Sequence, residues 1–101
     1  MSEIEQARKA LVSRILEGPS KASPSQRRDA FNNSGLAGPL GMLVDKVAKH
    51  ASRVTDEDIA AARKSGLSED QIFEIVVCGA VGQATRQYDA GLTALEAAGK
   101  E

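Results

Sequence analysis

Apolar residues recur every three or four positions along most of the chain, and a few polar, Gly- and Pro-bearing stops interrupt them. That period belongs to helices, so the expected fold is all-α. Ile4, Leu11 and Ile15 fall on one helical face, with Ala7 and Val12 beside them. Ser2 with Glu5 has the capping-box spacing that opens such a helix, and Gly18-Pro19 stops it. Ser23-Pro24-Ser25-Gln26 opens a second, short helix that runs through Phe31 and ends in Asn32-Asn33-Ser34-Gly35. Pro39 opens a third, where Leu40, Leu43, Val44, Val47 and Ala51 form a stripe. Thr55 with Asp58 and Ser68 with Gln71 are two further capping boxes. Val54 with Ile59, and Leu67 with Ile72, are placed as their hydrophobic staples. Gly66 sits where a helix closes in the left-handed conformation.

The last helix is expected from Glu69 to about Ala98, roughly 45 Å at 1.5 Å per residue. Between Ile72 and Ala84 only Glu74 and Gln83 are strongly polar, which predicts cover on nearly all sides. Gly79 and Gly82 would admit a closely packed helix. Beyond Ala84 a stripe of Tyr88, Leu92 and Leu95 remains. The pattern gives about five helices, the last long and central, in one domain over 1–101. Residues 1–35 supply the N-terminal helices, and 39–98 a core hairpin with the long helix.

Composition sharpens this picture. Ala, Leu, Glu, Lys, Arg, Gln and Met fill 52 of the 101 positions, against 18 for Val, Ile, Phe, Tyr and Thr, which favours helix over sheet. Sixteen of the apolar residues are Ala, so a monomer has a thin core and a homo-oligomer is expected. The net charge of −1 argues against an electrostatic nucleic-acid binder. Residues 1–53 carry nine basic and five acidic groups, and 54–101 carry four and nine. No apolar run approaches the ~18 residues that span a bilayer, and Met1 to Ala10 are too polar for a signal peptide. The expectation is a cytoplasmic protein without a membrane role.

Few residues offer chemistry. Cys78 lies mid-helix among Val76, Val77, Ala80 and Val81, the setting of a small buried hydrophobe, and there is no CxxC dyad. One Cys and one His give no metal cage, and no phosphate loop or nucleophile elbow points to a cofactor. His50, among Lys46, Lys49 and Arg53, reads as a helix C-terminal cation or as an acid–base group beside Asp45 or Asp58. Glu74, between Phe73 and Ile75, faces a polar seam, pairs with an arginine or lines a pocket. His50 and Glu74 are the weak catalytic candidates. Ile59–Val76 has helix-turn-helix spacing, but Glu69, Asp70 and Glu74 would face phosphates, so DNA binding is not expected.

Residues 43–98 carry a hairpin pattern: Ala60-Ala61-Ala62-Arg63-Lys64-Ser65-Gly66-Leu67-Ser68, then Ile72-Phe73-Glu74-Ile75-Val76 and an Ala/Gly-rich long helix. This segment resembles the carboxymuconolactone decarboxylase/AhpD-like (alkylhydroperoxidase-like) family. The resemblance implies an all-helical fold that assembles as dimers, trimers or hexamers. It also implies, for redox-active members, a CxxC, a following His and a Glu in the preceding helix. Counted back from Gly66, the cysteine positions fall on Ala51 and Val54 and the histidine position on Asp58; near Pro39 there is no Glu in reach. The expectation is a member lacking the CxxC redox motif, with a binding or assembly role and no thiol peroxidase activity. The alternative is a cysteine-independent lyase or isomerase, decarboxylase-like, acting on a small organic acid at a subunit-interface pocket.

Overall fold

The computed structural model describes residues 3–99. Its elements are α1 (Glu3–Glu17), α2 (Pro24–Asn32), α3 (Gly38–His50), a 3-10 turn at Ala51–Arg53, α4 (Asp56–Lys64) and α5 (Glu69–Gly99). All are helical, as the apolar period requires. The molecule measures 52 × 29 × 20 Å. Its long dimension follows from α5, whose 31 residues span about 46 Å.

Helix starts sit where side chains can satisfy the orphan N–H groups of the first turn. The Gln26 N–H donates to Ser23 Oγ, and the Ser23 N–H to Gln26 Oε1. The same reciprocal pair joins Thr55 to Asp58 and Ser68 to Gln71. Each box is worth about 1 kcal/mol. The expected box at Ser2 lies outside the described residues. Gly66 has φ +105°, so the chain reverses there into the α4–α5 hairpin in a conformation that a Cβ strains.

Two buried clusters meet along the root of α5. One joins Ala22, Ala30, Leu40, Val44, Ile75 and Cys78; the other joins Leu43, Ala62 and Ile72. Leu67, in the hairpin turn, packs against both. Burying a side chain such as Leu43, 1 % exposed, contributes about 1.5–3 kcal/mol.

Four expectations need correction. In α1 no residue is buried: Ile4 is 70 % exposed and Leu11 47 %, and the helix docks through Ile15 and Leu16 instead. In α3 the stripe ends on Ala48, not Ala51. The His50 backbone (φ −146°, ψ 56°) leaves the helical region and turns Ala51 outward. The run Ile72–Ala84 is not covered all round within the chain, because Phe73 points outward, 70 % exposed. Finally, the stripe beyond Ala84 is met within the chain at Tyr88. The Arg8 guanidinium lies 5.0 Å from its ring centroid, and Arg8 Nη1 is 3.4 Å from Asp89 Oδ1, so α1 runs antiparallel along α5.

The two central glycines serve the chain itself. A Cβ on Gly82 would lie 1.9 Å from the Phe31 carbonyl oxygen, and one on Gly79 would lie 3.2 Å from Val44 Cγ1. Gly82 lets the C-terminal end of α2 rest on α5, and Gly79 makes room for α3. Neither is free to seat a helix from another subunit.

Candidate functional site

The loop between α1 and α2 crosses the root of α5, and Glu74 reaches up to hold it. The Lys21 N–H donates to both Glu74 oxygens (3.1 and 3.0 Å), and the Ala22 N–H to Oε2 (2.8 Å). These donors precede the first turn of α2, where the helix dipole also favours an anion. Partial burial pushes the Glu74 carboxyl up, but the N–H groups of Ala22 and Lys21, the Ser20 hydroxyl and the Arg27 charge outweigh it. The carboxyl is held below the usual glutamate range. The same loop is tied down by Lys21, whose Nζ is 2.7 Å from Asp70 Oδ2, and by Gln71 Nε2 donating to the Lys21 carbonyl.

Arg27 lies beneath this loop. It is 4 % exposed, and Nη1 donates to the carbonyls of Ile15 (3.1 Å) and Gly18 (2.8 Å), closing the C-terminal end of α1. Its Nε is buried and has no hydrogen-bond partner. A cavity of about 180 Å³ opens beside it. Arg14, Ser20 and Glu74 give this cavity its polar rim, and Ile15, Phe73 and Val77 its apolar wall. Cys78 also lines it; burial pushes the thiol up, and Sγ lies 3.6 Å from the Ile15 carbonyl. A protonated thiol of that kind is a poor nucleophile.

His50 stands elsewhere. It is exposed at the end of α3, beside a depression of about 250 Å³ with Met42, Asp45, Lys46 and Asp58. Both expected carboxylates accept hydrogen bonds from other groups, and Asp45 also lies within electrostatic reach of His50. Asp58 Oδ2 accepts from Lys46 Nζ (2.8 Å) and the Thr55 N–H, and Asp45 Oδ1 from Asn33 Nδ2 and Lys49 Nζ (both 2.9 Å). Lys46 and the Thr55 N–H hold Asp58 below the usual aspartate range, and Asn33 and Lys49 do the same for Asp45. The His50 side chain makes no hydrogen bond among the described residues. The two candidates are therefore not brought together: Glu74 lines the cavity, and His50 lines a different surface.

Arg27 and Ser20 were not singled out by the sequence reading. The same holds for Arg86, whose Nη1 donates to the Phe31 carbonyl and Nη2 to Gln83 Oε1 (3.0 Å), a cation closing the C-terminal end of α2. One signal was available: each partner carbonyl lies at or just beside the end of a short helix, where orphan acceptors are expected.

Among the described residues no group of three or more His, Cys, Asp or Glu could hold a metal ion, and no helix is long and apolar enough to cross a membrane. Comparison with known proteins finds no matching family model, curated protein or solved structure.

Proposed function

We propose that this protein is a non-redox, AhpD-like helical module that works as a homo-oligomer in a binding or assembly role. One observation carries the reading: the outer half of the molecule leaves large apolar side chains in water. Tyr88 is 40 % exposed and Leu95 69 %, and Ile4 and Leu11 lie open on α1, which runs alongside. Between the two helices runs an apolar groove lined by Leu11, Val81, Ala84 and Tyr88. A second copy that covers this face removes a contiguous patch that monomers of this size usually avoid. The positions that would carry a redox pair and its histidine do other work: Ala51 lies in the 3-10 turn, Val54 packs against the second core cluster, and Asp58 caps α4. Cys78 lacks a second thiol in the chain.

The lyase or isomerase reading has less support. It needs a group that trades a proton near neutral pH. Glu74 is held ionised by three N–H contacts, and the carboxylates beside His50 are already taken up by Lys46, Lys49, Asn33 and the Thr55 N–H.

Light scattering tests the proposal. The wild-type chain should show a multiple of the monomer mass at micromolar concentration, with little response to salt because the face is apolar. The double variant Leu92→Asp, Leu95→Asp should fall to monomer mass with its helix content unchanged. A wild-type monomer, or a double variant of wild-type mass, overturns the reading.

A further inference from the structure

The cavity beside Arg27 is built differently from the open apolar face, and what it could hold does not depend on the assembly reading. A guanidinium that is 96 % out of water is costly unless its donors and its charge are both answered. Here two neutral carbonyls answer one nitrogen, and Nε is left without an acceptor. Glu74 contributes its charge through space but gives its oxygens to backbone N–H groups of the α1–α2 loop. Arg14 adds a second cation at the rim, so the lining carries two positive groups against one negative. The opposite wall, Ile15, Phe73 and Val77, is apolar.

We propose that this cavity binds a small aliphatic monocarboxylate, its carboxylate toward the Arg14 and Arg27 guanidinium groups that line it and its carbon tail against Ile15, Phe73 and Val77. A planar carboxylate suits a guanidinium and brings the negative charge that Glu74 alone does not supply to two cations. Net positive lining selects a monoanion, and the apolar wall selects against a fully hydrated inorganic anion. At about 30 Å³ per water, 180 Å³ holds about six waters, or a ligand of about six non-hydrogen atoms. Butyrate has that size. Phe73, 70 % exposed, stands at this wall and gives the tail an aromatic edge to pack on.

The test titrates sodium butyrate into the full-length protein and follows backbone amide signals by NMR, with butyramide as the neutral counterpart at matched ionic strength. Butyrate should move the amides of Ser20, Val77 and Cys78 saturably, and butyramide should bind at least ~tenfold more weakly, the loss of one charge-assisted hydrogen bond. Arg27→Gln should weaken butyrate by a similar factor. Should that variant fail to fold by circular dichroism, Val77→Phe, which fills the apolar wall and leaves Arg27 in place, carries the test and should abolish the shifts. The proposal is overturned if butyramide, chloride or inorganic phosphate moves the same amides as strongly as butyrate does, or if Val77→Phe binds butyrate as the wild type does.

Discussion

Residues 72–83 and residues 86–99 belong to one unbroken helix, yet they live in different surroundings. The first stretch is met by α2 through Gly82, by α3 through Gly79, by the α1–α2 loop through Glu74 and by α4 through Ile72. In the second, Arg86 reaches back to the Phe31 carbonyl of α2, and beyond it α1 supplies the contacts through Arg8 with Tyr88 and Asp89. Side-chain composition explains part of the contrast. Gly, Cys and β-branched residues dominate the root and let neighbours approach closely. Ala is the commonest residue of the tip, where intrinsic helix propensity and backbone bonding must carry the helix. One helix thus serves as a core element at one end and a presented surface at the other.

Substitutions at matched positions break or sharpen this contrast. The largest effect is expected from truncation at the two ends. Ile75→Ala, at a fully buried position, should cost about 2–5 kcal/mol in urea unfolding, whereas Leu95→Ala in dilute protein should stay within about 0.5 kcal/mol. Equal costs would mean that the tip is packed as the root is.

A glycine pair probes the same contrast from the side of added volume. Gly82→Ala drives a Cβ into the backbone of Phe31 and should destabilise by about 1–3 kcal/mol despite its better helix propensity. Gly91→Ala meets no atom within 4 Å and should stabilise by up to ~1 kcal/mol. Thermal melts of the two variants should therefore move in opposite directions.

The smallest effect separates the loop clamp from the rest of the root. The folded pKa of Glu74 lies below the usual glutamate value of ~4.3. Its contribution is fully present above that value and is lost as pH falls through the lower, folded one. Glu74→Gln should therefore lower stability at pH ~6 and flatten the acid limb below pH ~4. Asp45 and Asp58, also held low, should leave part of that limb in place. An acid limb of wild-type steepness in the variant would show that the clamp contributes nothing.

Much of the fold was legible because it is written in local signals. The boxes at Ser23, Thr55 and Ser68 and the reversal at Gly66 depend only on residues within one turn, so spacing reveals them. The wetted face of α1 was not legible. Ile4 and Leu11 share the helical period of Ile15, and nothing local says that only the C-terminal turns of α1 reach the core. At the candidate site, Glu74 was recognisable as a carboxylate out of place among apolar neighbours, but its partners Lys21 and Ala22 lie more than 50 residues away. Arg27 was hidden for another reason: between Gln26 and Arg28 it has the company of a surface residue, and only the folded loop places it beneath Gly18.

The unequal surroundings of α5 also set how its backbone trades protons with water. Amides of the root are released only when α2 and α3 come away with them, so they report the opening of the whole molecule. Amides near the C-terminal end are released by fraying of the last turns, with few neighbours to disturb. One continuous helix should therefore carry a step in hydrogen-exchange protection near Arg86, and anything that settles over Tyr88 and Leu95 would slide that step toward Gly99.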